Sequence, residues 1–99
     1  MLIATEPGAT LKLKFQGSAV GLLVVAGPDV GVLEYRLDGG TAKRLDQFTP
    51  WSRTLHIPWA YMLETELPRT EHELLLRLAD DKHPDSRGHA ARIVKFLVN

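Results

Sequence analysis

Leu11, Leu13 and Phe15 alternate with Lys12, Lys14 and Gln16, the two-residue repeat of a strand with one wet face. The run from Ala19 to Ala26 is apolar throughout, and Val20, Val24 and Val25 suit a pleated, enclosed surface, which predicts a central strand. Gly27-Pro28-Asp29 breaks that run. Alternation resumes at Val32, with Leu33, Tyr35 and Leu37 opposite Glu34 and Arg36. Asp38-Gly39-Gly40 supplies residues that tolerate positive φ, so the segment from Thr41 to Phe48 is expected to fold back as a hairpin partner.

The middle of the chain is less regular. Arg53 to Ile57 is open to a strand, whereas Trp59, Tyr61, Met62 and Leu63 stand at near-helical spacing and predict a short helical turn within Pro58 to Leu67. Pro68-Arg69-Thr70 reads as a turn, after which His72, Leu74, Leu76 and Leu78 share one face against Glu73 and Arg77. Lys82 to Gly88 is polar and rich in breakers, and Ile93 to Val98 closes the chain with an apolar, partly β-branched strand. Turn clusters recur about every 10 to 18 positions, which predicts an all-β fold: a two-sheet antiparallel sandwich with one short helical turn.

Composition narrows the function classes. Ninety-nine residues give one domain, which leaves roughly 65% of the unfolded-chain surface buried. Hydrophobic residues at 44% and charged residues at 24% are ordinary globular values, which excludes disordered, collagen-like and coiled-coil classes. Twelve Lys and Arg balance twelve Asp and Glu, so the basic field needed for nucleic acid or an anionic membrane is absent. There is no cysteine, which excludes disulfides, thiolate metal sites and a cysteine nucleophile. The apolar stretch Gly17 to Pro28 falls short of the roughly 20 residues of a spanning helix. Met1 to Ala4 lacks a basic region and a long apolar core, so no signal peptide is expected there.

Three constellations could carry chemistry. Asp80-x-x-His83-Pro84 resembles the closing block of SGNH (GDSL-type) serine hydrolases, in which Asp80 would orient His83 and His83 would activate a serine. A nucleophile also needs oxyanion donors on a scaffold that fixes their geometry. Ser18, Ser52 and Ser86 lie in no Gly-Asp-Ser-type turn, so a minimal esterase is the lesser reading and no catalytic residue is assigned. The histidines His56, His72, His83 and His89 include no i, i+4 pair and the aspartates form no EF-hand loop, so neither a metal nor another cofactor is expected. His72, sharing a face with leucines, reads as a hydrogen-bonded core or edge histidine. The third constellation is aromatic: Trp51, Trp59 and Tyr61 fall within eleven positions, close to Phe48. An indole face accepts the C–H groups of a pyranose while polar neighbours take its hydroxyls. Trp51, Trp59 and Tyr61 with His56 and Asp80 are therefore the candidate ligand-binding residues, and packing of the aromatics in the core is the competing reading.

A resemblance covers most of the chain. The segments Phe15-Gln16-Gly17, Gly27-Pro28-Asp29-Val30-Gly31, Leu37-Asp38-Gly39-Gly40, Trp51-Ser52, Leu55-His56-Ile57-Pro58-Trp59, Glu71-His72-Glu73-Leu74 and Arg92-Ile93 carry it. They resemble the jelly-roll, carbohydrate-binding-like accessory domains attached to some bacterial SGNH hydrolases. The resemblance implies a non-catalytic module within a larger, exported protein, partnered by the parent catalytic domain and by glycan; the alternative is a purely structural interaction domain whose Trp-bearing patch packs against that catalytic domain. It implies that the catalytic residues lie in that other domain, which would make the Asp80-x-x-His83 match coincidental. Arg69-Thr70-Glu71 departs from the glycine that such domains place before the Glu-His strand.

Overall fold

The computed structural model describes residues 1–99. Its strands are β1 (Leu2–Ala4), β2 (Thr10–Gly17), β3 (Val20–Ala26), β4 (Val32–Leu37), β5 (Lys43–Asp46), β6 (Ile57–Glu64), β7 (Thr70–Leu78) and β8 (Ala91–Val98). They form two four-stranded antiparallel sheets, ordered β1-β8-β3-β6 and β2-β7-β4-β5. Of the sequential pairs only β4 and β5 share a sheet as neighbours; every other connection crosses the sandwich, the habit of jelly rolls. The all-β sandwich expected from alternation is the observed fold.

The alternating positions supply the core. Phe15, Leu33, Leu74, Leu76 and Leu78 of one sheet face Val20, Leu22, Val24, Leu63, Ala91 and Ile93 of the other. The fully apolar β3 is central, enclosed between β8 and β6, as its composition predicts. The β4–β5 turn places Asp38 at φ 52° and Gly39 at φ 72°, the two left-handed residues that a tight hairpin requires.

Three segments differ from expectation. Pro58 to Leu67 holds no helical turn; it is mostly the strand β6, and the one helical turn is the 3-10 turn Pro50–Ser52. The repeat that matters there is Ile57, Trp59, Tyr61 and Leu63, which alternate inward against the core, and aromatic residues favour a pleated surface. Pro58 is tolerated because β6 is an edge strand, so its missing N–H costs no ladder bond. Arg53 to His56 is irregular rather than strand, with extension starting only at Ile57. Leu2–Ala4 forms the short strand β1 on β8, where its three residues are too few to show a period. Between Arg69 and Glu71 no residue has positive φ, so that turn needs no glycine.

Candidate functional site

Strand register sorts the loops onto two ends. Ala26, pairing with Ile57, and Thr10, pairing with Arg77, lie at one end, which therefore collects the β3–β4, β5–β6 and β7–β8 loops. The opposite end holds Gly17, Thr70, Val98 and the β4–β5 turn.

The three long loops are tied together by side chains. Thr49 caps the 3-10 turn: its Oγ1 accepts the Ser52 N–H at 3.0 Å while the Thr49 N–H donates to Ser52 Oγ at 3.3 Å. That capped turn presents Trp51, 69% exposed. Next to it the Phe48 ring stacks on His83 with centroids 4.5 Å apart and an interplanar angle of 16°. Arg53 stands 6.0 Å from the Phe48 ring centroid and donates to Asp85 at 3.0 Å, joining the β5–β6 loop to the β7–β8 loop. Ser86, buried, donates to Val30 O at 2.6 Å and so binds the β7–β8 loop to the β3–β4 loop.

Asp29 organises the polar part. It pairs with Arg92 across the start of β8, and its Oδ1 stands 3.4 Å from His56 Nε2. Burial works to raise the Asp29 carboxyl, but the hydrogen bond and charge of Arg92, with a smaller contribution from His56, outweigh it and hold the carboxyl below its usual range. The His56 ring lies against Gly27 so closely that a Cβ there would stand 2.5 Å from its Cδ2, which explains the glycine before Pro28. Gln47 is fully buried and donates through Nε2 to Gly31 O at 3.1 Å and Ala90 O at 3.3 Å. Asp29 Oδ1, Gln47 Oε1 and Arg92 Nη1 are buried without a hydrogen-bond partner in the protein, and all three belong to this end.

The candidate residues divide. Trp51, His56 and the exposed Asp80 share the loop end, although no hydrogen bond joins Trp51 to the other two. Asp80 pairs with Arg77 at 3.4 Å. Trp59 and Tyr61 sit on the inward face of β6, half-buried against the core. Tyr61 donates to Gln47 O at 3.4 Å, and burial, helped by the Asp46 charge, raises its hydroxyl pKa. Of the two tryptophans, Trp51 is exposed on a loop and Trp59 is half-buried on β6. Sequence reasoning missed the Asp29–Arg92 pair, whose partners lie 63 residues apart, and the Phe48–His83 stack. Asp29 did show as a turn residue, but nothing local names its partner.

No serine meets an imidazole. Ser86 Oγ donates to Val30 O, Ser52 Oγ is bound within the Thr49 cap, and Ser18 Oγ donates to Asn99 O at 3.4 Å. His83 Nδ1 accepts the Asp85 N–H at 3.0 Å, and no hydrogen bond links His83 to Asp80. No three His, Asp or Glu side chains converge as a metal site. An apolar crevice of about 170 Å³ opens between β1 and β2, lined by Leu2, Leu11, Leu76 and Ile93 among others, and Thr10 is its one polar lining residue.

The chain matches no protein-family model and no curated protein. Solved structures show the fold elsewhere. A two-domain esterase active on acetylated mannans, co-crystallised with mannopentaose, superposes with TM-score 0.75 at 17% identity over 95% of this chain. A family two carbohydrate esterase from Clostridium thermocellum, in complex with cellohexaose, superposes with TM-score 0.65 at 13% identity over 98% of this chain. An exo-beta-1,3-galactanase from Phanerochaete chrysosporium with galactose reaches 0.54 at 19% identity over 93%. The chain spans 26% of each esterase and 21% of the galactanase. At these identities the likeness establishes the sandwich fold.

Proposed function

We propose that this sandwich is a non-catalytic accessory module of a carbohydrate-acting ester hydrolase of the SGNH type, a single unit within a longer exported protein, and that its loop end contacts glycan. The observation that carries the glycan contact is the Trp51 indole, 69% exposed on a side-chain-capped turn. An exposed indole on a turn whose backbone is already ordered offers a flat apolar face to a pyranose at a reduced ordering cost. His56 and Asp80 supply polar groups at the same end, whereas Trp59 and Tyr61 hold β6 against the core beneath it. Two proteins sharing the fold act on carbohydrate esters, and the chain's span of about a quarter of each fits an accessory role.

Isothermal titration with mannopentaose and cellohexaose tests the reading. The expected result is weak binding of at least one oligosaccharide, reduced about tenfold or more by Trp51→Ala, equivalent to about 1.4 kcal/mol. Binding unchanged by Trp51→Ala, or no binding to either oligosaccharide, removes Trp51 as a glycan platform.

A further inference from the structure

Strand order gives the sandwich two lateral edges. Lys43 pairs with Glu64 and Tyr61 donates to Gln47 O, so β5 and β6 close one edge, beside the loop that carries Trp51. β1 and β2 flank the other, and there the side chains leave the crevice of about 170 Å³. Its cause is a change of residue size. The core cluster is otherwise built from Leu, Val, Ile and Phe; the only alanines in it or packed against it are Ala4, Ala9 and Ala91, and all three line the crevice. Ala4 pairs with Ala91 across β1 and β8, so two methyl groups stand side by side where longer side chains would reach toward β2. Leu33, Leu76 and Leu78 line the buried side, and the exposed Leu2 and Ile3 line the mouth.

We propose that this crevice is a binding site for an uncharged hydrocarbon group of about six carbons, a single aromatic ring or a short alkyl chain, carried on a polar remainder that stays in solvent. The volume matches: an engineered cavity of about 150 Å³ lined by Leu, Ile and Phe binds benzene, whereas a drug-sized ligand needs roughly 300 Å³ or more. The lining matches too. Thr10 is the one polar lining residue, fewer than the about two to four polar partners that hold an ordered water, and a pyranose buried there would leave its hydroxyls unpaired. The site is therefore distinct from the glycan contact at Trp51 and stands independently of it. A hydrocarbon entering the crevice gains the dispersion contacts that the short alanine side chains do not make with one another. Charges around the mouth select against an anion. Arg77, opposite Thr10, is paired with Glu34 and Asp80, and Arg92, opposite Ile3, with Asp29, so neither guanidinium is free to take a carboxylate. Glu6, exposed in the β1–β2 loop, repels one.

Methyl-resolved NMR titration of the 99-residue chain with benzene, 1-hexanol and hexanoate tests this. The expected result is saturable binding of benzene, 1-hexanol or both, with shifts centred on Leu11, Leu76 and Ile93 and absent at Leu63, which lies on the opposite edge strand. Whichever neutral probe binds more tightly tells ring from chain. Hexanoate is expected to bind about tenfold or more weakly than the tighter neutral probe. Ala9→Leu, which fills the crevice without a new polar group, should abolish binding and leave the urea midpoint unchanged or higher, because overpacking destabilises only where there is no room. Ala4→Val makes the same change from β1 and serves should Ala9→Leu fail to fold. Binding that persists in either folded variant overturns the inference, as do shifts centred on Leu63, equal binding of hexanoate, or no saturable binding of either neutral probe. A midpoint lowered in both variants means that the alanines are already close-packed, and overturns it too.

Discussion

The two ends of the sandwich are built on opposite principles. At the β4–β5 turn, His72 is buried at 6% side-chain exposure, with Nδ1 2.6 Å from Asp38 Oδ2 and Nε2 2.7 Å from Pro68 O. Both ring nitrogens face acceptors, so both carry protons and the imidazole is a cation in the fold. Asp38 takes the Glu73 N–H at 2.8 Å on its other oxygen. Every group there has a partner. At the loop end three buried polar atoms have none, and an indole stands in solvent. The closed end spends its polar groups on holding strands together; at the loop end the buried polar groups are less completely paired, and the exposed Trp51 rather than those buried atoms is what a ligand can reach. The lesson is that a histidine on an apolar face and a histidine in a loop carry different roles in one small fold.

Substitutions at matched depth at the two ends sharpen that contrast. Phe15 packs at the closed end, 8% exposed with its ring 5.4 Å from that of His72. Phe15→Ala is expected to cost about 3–5 kcal/mol, because it removes buried surface and leaves a cavity that the His72 clip prevents from collapsing. Urea unfolding measures it. A loss below about 1 kcal/mol would mean that the closed end repacks freely and is no more rigid than the loops.

Gln47 is the corresponding test of the loop end. Gln47→Ala removes the side-chain donor that the Gly31 and Ala90 carbonyls share while each keeps a backbone donor, at an expected cost of about 1–2 kcal/mol by the same measurement. The unpartnered Oε1 already forfeits part of what the side chain could contribute, so the loss should fall below that of Phe15→Ala. The reverse order would make the loop end the better-secured of the two.

What could be read from the sequence follows the same division. The strands β2, β4 and β7 show a clean period of two because one face of each is wet and polar, and β3 shows none because its outward residues Leu23 and Val25 are apolar as well, half-buried among the side chains of the neighbouring strands. The strand β6 was hidden because Tyr61, Met62 and Leu63 are consecutive apolar residues, and Met62 belongs to the outward apolar face rather than the core. The loop end was legible only as residue types. Trp51 and Trp59 look alike in sequence, yet one stands in solvent on a loop and the other is half-buried on a strand. Pairings such as Asp38 with His72 or Asp29 with Arg92 depend on crossovers between elements distant in sequence.

The smallest expected effect, the pH dependence of stability, separates the ends most cleanly. The hydrogen bond to Asp38, then that to the Pro68 carbonyl, raises the His72 pKa above its ordinary 6.5. A group raised on folding stabilises fully below its unfolded pKa, and that contribution is lost as pH climbs through the folded value. Asp38 is shifted the other way: the His72 contact, then the Glu73 N–H, lowers it from 3.8, so its contribution is lost as pH falls through the folded value. The pair therefore stabilises most between about pH 4 and 6.5. Its acid limb is shared with Asp29 and Asp81, both also lowered, and so does not isolate one end. The limb above pH 6.5 belongs to His72, because the other raised groups, Tyr61, Lys43 and Arg44, start from 10.0 or higher. Urea midpoints between pH 6 and 9 should fall for the parent chain, and His72→Gln should flatten that slope while lowering the midpoint at pH 6. An unchanged slope in His72→Gln would mean that the ring is neutral in the fold, and the closed end would then hold a mismatched nitrogen and lose its contrast with the loops.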